Sequence, residues 1–395
     1  MRTYNEEALK NDPKANFGRP YQQCAISVMD TIADPDITFD EKGVCNYYYE
    51  YLEAERVFCL RGEEGLKKQK EIAKEIKKHP GKKGYNCILG LSGGADSTYL
   101  AYLAKQLGLN PLLVHFDYGW NSEIAVKNVE NAVAASGFDL YTVVMDWEEF
   151  KSLQRSYFKA SVLDLDVPAD HMIFGALYKT ATKFNIKYIL SGNNVWTEHT
   201  LPKSWNYNKF DLKNLKNIHQ KFENTPLKNL PALGYWQLIK YNTFKKLQRA
   251  NFIDYQYFNR EEILKLIEKE MGWINYGGKH QESVFTRFYQ GYILPTKYNI
   301  DKRKAHLSNL IFSEQLTKEE AIDEIKKPPY PLELQKQDFE FVAKKLGFSI
   351  EEFEKVLSQK NIPHEFYGTD KEEIKRFQKV LKVISPFTKF YKKIS

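Results

Sequence analysis

At 395 residues, 43% of them hydrophobic, the chain holds one large or two modest domains with a proper core. A formal net charge of +7 suits an anionic partner, whether nucleotide, sugar nucleotide or RNA, without choosing among them. No apolar run nears the roughly 20 residues of a membrane helix and no signal-peptide core is present. Cysteines at 24, 45, 59 and 87 form no disulfide framework, so a cytoplasmic protein without a membrane span is expected.

Residues 1–20 read as a polar arm, and 24–48 as a turn-rich piece around Asp34-Pro35-Asp36-Ile37-Thr38-Phe39-Asp40. A Glu- and Lys-rich helix is predicted over 48–79, ending at Pro80-Gly81. The eight lysines between 67 and 84 read as a solvated face and turn rather than a binding patch. Strands are then predicted at 86–91, 111–116, 139–145 and 186–191, alternating with helices at 97–107, 122–136 and 168–184. Such alternation predicts an α/β fold, a parallel sheet with helices on both faces, and ligands beyond the carboxyl ends of its strands. Past 205 the pattern is mostly helical, at 208–223, 260–270, 281–294, 299–310 and 317–326, with one further strand near 251–258. Thr317, Ser349 and Thr369 each stand three residues before a Glu, the spacing of a capping box. Pro328-Pro329-Tyr330-Pro331 leads into a helical extension over 335–385. The expected units are 1–80, an arm, turn-rich segment and helix; 81–275, the α/β domain; and 276–395, a helical region.

The first strand runs into Ser92-Gly93-Gly94-Ala95-Asp96-Ser97, and a helix follows at once. Glycines between a strand end and a helix start leave backbone N–H groups and the positive end of the helix dipole for an anion. Ser92 and Ser97 add hydroxyl donors, and Asp96 is placed to hold a hydrated Mg²⁺ beside phosphates. This motif resembles the signature of the PP-loop ATP pyrophosphatases. The resemblance implies an adenine nucleotide alpha hydrolase-like fold and ATP cleaved between its α and β phosphates. It assigns Ser92, Gly93, Gly94 and Ser97 to the departing pyrophosphate, and Asp96 to Mg²⁺ or to loop geometry. Asp117, at the end of the second strand, is a candidate contact for ribose or base, or simply part of an Asp-Tyr-Gly turn. Gly192 and Asn193, ending the fourth strand, would border the adenosine. Asn194, Glu198, His199 and Trp205 follow on a long loop at the same sheet edge.

A second constellation, Tyr276-Gly277-Gly278-Lys279-His280-Gln281-Glu282-Ser283, opens a helix that continues to Arg287 and Phe288, with Asp301, Lys302, Arg303, Lys304 and His306 soon after. His219 and His364, standing alone, read as structural. With Gly291-Tyr292-Ile293-Leu294-Pro295, Asp301-Lys302-Arg303, Leu201-Pro202-Lys203-Ser204-Trp205 and Val28-Met29-Asp30-Thr31, the chain resembles the N-acetyl sugar amidotransferases of surface-polysaccharide (LPS, O-antigen) assembly from about residue 20 to 345. These turn an acetamido group into an acetamidino group with ammonia from a separate glutaminase and synthase-like pair. The resemblance implies ATP and Mg²⁺ as cofactors and a nucleotide- or lipid-linked N-acetyl sugar as substrate, with no nucleic acid. Members commonly carry Cys-x-x-Cys twice near the N-terminus; here only Cys24 and Cys45 remain, so no zinc is expected there.

Converting acetamide to acetamidine requires activation, implying attack of the amide oxygen on the α-phosphate to give an O-adenylyl imidate, which ammonia then displaces. Lys279, His280 and Arg287 are candidates for balancing phosphate charge or binding the sugar-linked anion. Glu282 or Glu198 is placed to manage protons from ammonia. Asn194, Trp205, Arg287 and Arg303 are the expected substrate contacts. Two alternatives stand beside this reading. One is a lysidine-type tRNA-modifying ligase, a role found among PP-loop relatives; the other is a nucleotide-binding protein without catalysis.

Overall fold

The computed structural model describes residues 4–278 and 281–384. Five parallel strands form a sheet in the order β3-β2-β1-β4-β5: β1 (Cys87–Gly90), β2 (Pro111–Asp117), β3 (Leu140–Val144), β4 (Tyr188–Ser191) and β5 (Gln248–Asn251). In register, Ile88 of β1 faces Leu112 of β2 and Ile189 of β4. The two-residue period sends Ile88, Leu112, Val114 and Ile189 into one apolar cluster and Leu89, Leu113 and Leu190 into another on the opposite face. Helices Ala95–Gln106, Glu123–Ser136 and Arg260–Met271 cover the second face; Trp147–Ala160 and Val167–Lys183 cover the first. Central strands buried on both sides read as near-continuous apolar runs, which is why sequence spacing located them. The chain leaves β1 toward β3, then returns to build β4 and β5 on the other side. This reversal opens a crevice where β1 and β4 end.

Local chemistry explains where spacing and structure part. The predicted 48–79 helix is two, Asn46–Phe58 and Gly62–Lys77. Between them Leu60 donates its N–H to the Asp254 carbonyl at 3.0 Å, and Arg61 stacks over the Trp196 and Tyr257 rings. The strand expected near 251–258 ends instead at Asn251, whose Oδ1 accepts the Ile253 N–H at 3.1 Å in an Asx turn. Two helices that spacing did not place, Trp147–Ala160 and Tyr235–Thr243, are present. The predicted 281–294 helix passes through a π turn at Tyr289–Ile293, because Pro295 has no N–H to give the Gly291 carbonyl. Both partners of the capping boxes at Thr317 and Ser349 are in place. At Thr369 the hydroxyl bonds Asp211 instead.

Ion pairs and hydrogen bonds hold the N-terminal segment. Lys304, 2% exposed, pairs with Asp30 at 2.5 Å and Glu6 at 3.3 Å, and Arg19 bonds the Asp34 and Ile37 carbonyls. Trp205 Nε1 donates to the Ala33 carbonyl at 2.8 Å, and Lys318 to that of Cys24 at 2.6 Å. Cys24 and Cys45 are buried together: the Cys45 thiol, hydrogen-bonded to Cys24, holds the Cys24 thiol low and is itself pushed up. Cys24, Met29, Tyr47 and Tyr51 share an apolar cluster with Ile88 of β1 and with Phe339 and Val342 of the helix Leu332–Leu346.

His364 and His219 are buried structural groups. His219 Nε2 meets the Ser152 hydroxyl at 3.0 Å. His364 stacks on Tyr207 with ring centroids 3.9 Å apart. Its Nε2 accepts the Asp164 N–H at 3.3 Å, and its Nδ1 faces Asn214 Oδ1 at 3.2 Å, a neutral tautomer satisfied on both sides. Burial lowers its pKa to about 4. Because the unfolded chain binds the proton near pH 6.5, stability falls as pH drops below that value and levels off near 4. Between pH 7 and 5 the His364 contribution is a loss on the order of 2 kcal/mol by denaturant titration, and His364→Gln should flatten that pH slope.

Candidate active site

The cradle is built from the strand end upward. Gly93 sits at φ +84°, and a Cβ there would stand 2.3 Å from the Ala125 carbonyl oxygen, so only glycine fits. Its own carbonyl is turned away and clamped twice, by Asn128 Nδ2 at 3.2 Å and Trp273 Nε1 at 3.0 Å. Asn128 also accepts the Ile274 N–H at 2.7 Å, which fixes the segment 273–276 against the loop. The Ser92 and Ser97 hydroxyls lie 3.3 Å apart, Ser92 Oγ accepts the Gly94 N–H at 3.2 Å, and Ser97 Oγ donates to the Gly94 carbonyl at 3.1 Å. The helix Ala95–Gln106 starts at Gly94 with no side-chain cap. Its first-turn N–H groups and dipole are thereby left for a ligand.

Around this loop lies a cavity of about 220 Å³ lined by Ser92, Gly94, Asp96, Ser97, Gly192, Asn193, Glu198, Arg260, Trp273, Tyr276 and Glu282, among others. Tyr276 donates to Glu282 Oε2 at 3.2 Å, and burial beside that carboxylate pushes the phenol far up, so it stays a donor. An adjoining cavity of about 810 Å³, within the roughly 300–1,000 Å³ of small-molecule sites, shares Gly90, Ser92, Asn193, Glu198 and Glu282 with the first. Its walls include Tyr118, Asn194, Trp205, Asp254 and His306. Further along them stand Asp166, Asp170, Lys209 and Lys302. Burial, with Asp170 beside it, lifts the Asp166 carboxyl to about 7, while burial lowers the Lys302 ammonium and lifts Asp254 to about 6.

The residues singled out in sequence divide cleanly. Ser92, Gly94, Asp96, Ser97, Gly192, Asn193, Glu198 and Glu282 meet at the cradle, with Gly93 shaping it; Asn194 and Trp205 line the larger cavity. Lys279 and His280 lie outside the described residues. Three assignments need correction. Asp117 closes its own turn by accepting the Gly119 N–H at 3.1 Å and lines neither cavity. Arg287 forks onto Asp338 at 2.9 and 2.7 Å, an ion pair joining two helices. Arg303 is held by Asp301 and donates to the carbonyls of Glu324, Ile325 and Lys327, closing the end of the helix Lys318–Lys326. For the two arginines a nearby carboxylate has already taken the guanidinium's donors, and Asp117 is taken up by its own turn. Sequence reasoning passed over Asn128, Arg260 and Trp273, whose only signal was a polar or large residue at an otherwise unremarkable helix or loop position.

For Mg²⁺, Asp96 is the carboxylate at the first turn of the helix, and among the described residues no three carboxylate, imidazole or thiol groups are arranged to hold a metal ion by themselves. One protein carboxylate with phosphates and water suits this ion, which keeps much of its hydration.

Residues 282–381 match the family model described as LPS biosynthesis protein WbpG-like, C-terminal domain, and residues 86–172 match that of queuosine biosynthesis protein QueC. A tRNA(Ile)-lysidine synthase of Chlamydia pneumoniae is 42% identical over 72 residues, 17% of this chain and 23% of that protein. A 7-cyano-7-deazaguanine synthase of Methanoculleus marisnigri is 36% identical over 80 residues, 20% of this chain and 34% of that protein. The matches therefore span about a quarter to a third of those relatives. Among solved structures, the NMN synthetase of Francisella tularensis aligns at a TM-score of 0.30 and 13% identity, covering 71% of this chain and 97% of that one. The NH3-dependent NAD synthetase of Campylobacter jejuni aligns at 0.29 and 18%, covering 53% and 86%.

Two substitutions separate cradle from scaffold. Gly93→Ala should abolish nucleotide binding measured by calorimetry, because the new methyl must displace the Ala125 backbone. Arg287→Ala should cost about 3 kcal/mol of stability by leaving Asp338 buried and unpaired, while ATP affinity of the folded fraction stays within twofold.

Proposed function

We propose, from the premise that this chain belongs to the PP-loop ATP pyrophosphatase superfamily and carries a WbpG-like C-terminal domain, that it is an ATP-dependent amidotransferase acting on a sugar's acetamido group. The observation that carries this reading is the shared wall. Ser92, Asn193, Glu198 and Glu282 belong at once to the phosphate cradle and to a cavity large enough for an acceptor. An acceptor atom in the larger cavity is thereby brought next to a nucleotide's α-phosphate with its β- and γ-phosphates in the cradle. Match to the WbpG-like model supports a surface-glycan acceptor.

The amide oxygen attacks the α-phosphorus, and the bond to the bridging β-oxygen breaks. The diphosphate leaves into the N–H groups at the start of the helix Ala95–Gln106 and the hydroxyls of Ser92 and Ser97. Mg²⁺, when bound, supplies charge neutralisation of the phosphates, with Asp96 as its protein ligand. Ammonia then adds to the imidate carbon, the carbon–oxygen bond breaks, and AMP departs with the former amide oxygen. Glu198 and Glu282, on the wall common to both cavities, take up the proton that ammonia sheds. The preorganised loop acts chiefly by positioning and by charge stabilisation. Ammonia is supplied by a partner glutaminase and synthase-like pair, because at neutral pH free ammonia is mostly protonated.

The similarity to tRNA(Ile)-lysidine synthases lends weight to a second reading, a tRNA ligase of the same chemistry. Salt-sensitive tRNA binding and release of AMP only with tRNA would favour it.

Supplied with ATP, Mg²⁺, ammonium and a panel of nucleotide-linked N-acetyl sugars, the protein should form AMP and pyrophosphate in step with a product in which NH replaces one oxygen, read by mass spectrometry. Asp96→Asn should reduce both by roughly 100-fold or more with the fold intact. ADP in place of AMP would refute the scheme.

A further inference from the structure

The strands of the sheet end at the cradle, and they begin at the opposite edge of the molecule. There the fold gathers lysines from separate turns, in the order of the strands themselves. Lys77 Nζ lies beside Gly108, which leads into β2. Lys82 and Lys83 precede β1, and the Lys82 N–H donates to the Phe184 carbonyl at 2.8 Å, seating that turn against the one before β4. Lys187 stands at the start of β4 and its carbonyl accepts the Gln248 N–H at 2.8 Å, which brings Lys245 and Lys246, just before β5, next to it. The row follows β2-β1-β4-β5, a span of about 15 Å at the usual strand spacing. All of these lysines but Lys187 are exposed, and none is ion-paired among the described residues. Two carboxylates at this edge are already engaged, Glu75 by Lys78 at 2.7 Å and Asp139 by the Tyr85 hydroxyl at 2.5 Å. Helix dipoles account for Lys77, the last residue of its helix, but not for Lys82, Lys83 or Lys187, which lie beyond the last turn of any α-helix. Lys83 and Lys246 hold φ of +57° and +55°, a region that favours glycine, so each keeps a charged side chain where its loss would relieve the backbone. Beside Lys245 and Lys246, Phe244 stands 77% exposed at the end of the helix Tyr235–Thr243.

We propose that this edge is a docking face for an anionic phospholipid surface, with the lysines over the headgroups and Phe244 inserted at the acyl boundary. The charges are complementary, and every cation in the row is a lysine. A compact ammonium on a flexible stem suits a fluid layer of phosphates, whereas a fixed nucleic-acid or carboxylate target favours the planar fork of arginine. An apolar ring held out beside lysines is buried by a bilayer interface and is not buried by a phosphate backbone or an acidic protein rim. Position decides in the same direction. A tRNA bound along this row would lie at the far end of the strands from the crevice it has to enter, while a membrane bound there leaves the crevice open to solution.

The test sediments the full chain with vesicles of phosphatidylcholine and phosphatidylglycerol at about three to one, and with vesicles of phosphatidylcholine alone. Binding should require the anionic lipid and fall roughly tenfold or more as salt rises from about 0.1 to about 0.5 M. Lys83→Gly combined with Lys246→Gly should weaken vesicle binding roughly tenfold or more while the thermal midpoint stays level or rises, because strain leaves with the charge. Lysines kept only for the fold would lower that midpoint instead. Phe244→Ser should weaken binding severalfold and remove what survives the higher salt. ATP affinity should stay within about twofold of the wild type in each variant, since the cradle lies at the other end of the strands. Absence of binding to the anionic vesicles, or an affinity unchanged in either variant, overturns the proposal. So does binding of tRNA that is tighter than that of vesicles and lost in the lysine variant, which would make the row a nucleic-acid site. The amidotransferase reading stands or falls by its own product assay, whatever the vesicles show.

Discussion

The double clamp on the Gly93 carbonyl governs the rest of the site. A loop that aims N–H groups at an anion must turn a carbonyl the other way, and that carbonyl needs donors where water is scarce. Asn128 and Trp273 supply them, from a helix 35 residues downstream and a loop 180 residues downstream. Because Asn128 also takes the Ile274 N–H, the bonds that shape the cradle also hold the wall containing Tyr276 and Glu282 against it. Cradle geometry and cavity geometry are thus one constraint, and neither is adjustable alone.

A comparable economy holds the N-terminal segment. Its buried ion pair, Lys304 with Asp30 and Glu6, is of little use for net stability after desolvation, but it sets where the helix Arg303–Phe312 meets the segment. Lys302 and His306, beside and within that helix, then lie on the cavity wall. The bond from Trp205 to the Ala33 carbonyl does the same for the loop after β4. The turn-rich N-terminal piece is therefore a back support for the larger cavity, joined to it by hydrogen bonds.

The π turn at Tyr289–Ile293 belongs to the same design. Missing one donor at Pro295, the helix widens where Tyr289 and Gln290 reach the larger cavity. Tyr289 bonds the Leu163 carbonyl at 2.9 Å, which ties the WbpG-like region to the loop that carries Asp164 and Asp166. The wall of the larger cavity is in this way assembled from both halves of the chain.

The sequence by itself determined the elements whose signals are local: the buried strands of the sheet centre, the glycine turn between β1 and its helix, the caps at Thr317 and Ser349, and through them the cradle residues. Each of these is specified by chemistry within a few positions. What only the tertiary structure decided is which of several adjacent charges serves the site. Asp301, Lys302, Arg303 and Lys304 are consecutive, yet Arg303 closes a helix end and Lys304 anchors the N-terminal segment, while Lys302 faces the cavity. Successive residues around a helical turn point about 100° apart. The partner each meets lies as far as 274 positions away, and nothing in the local pattern encodes it.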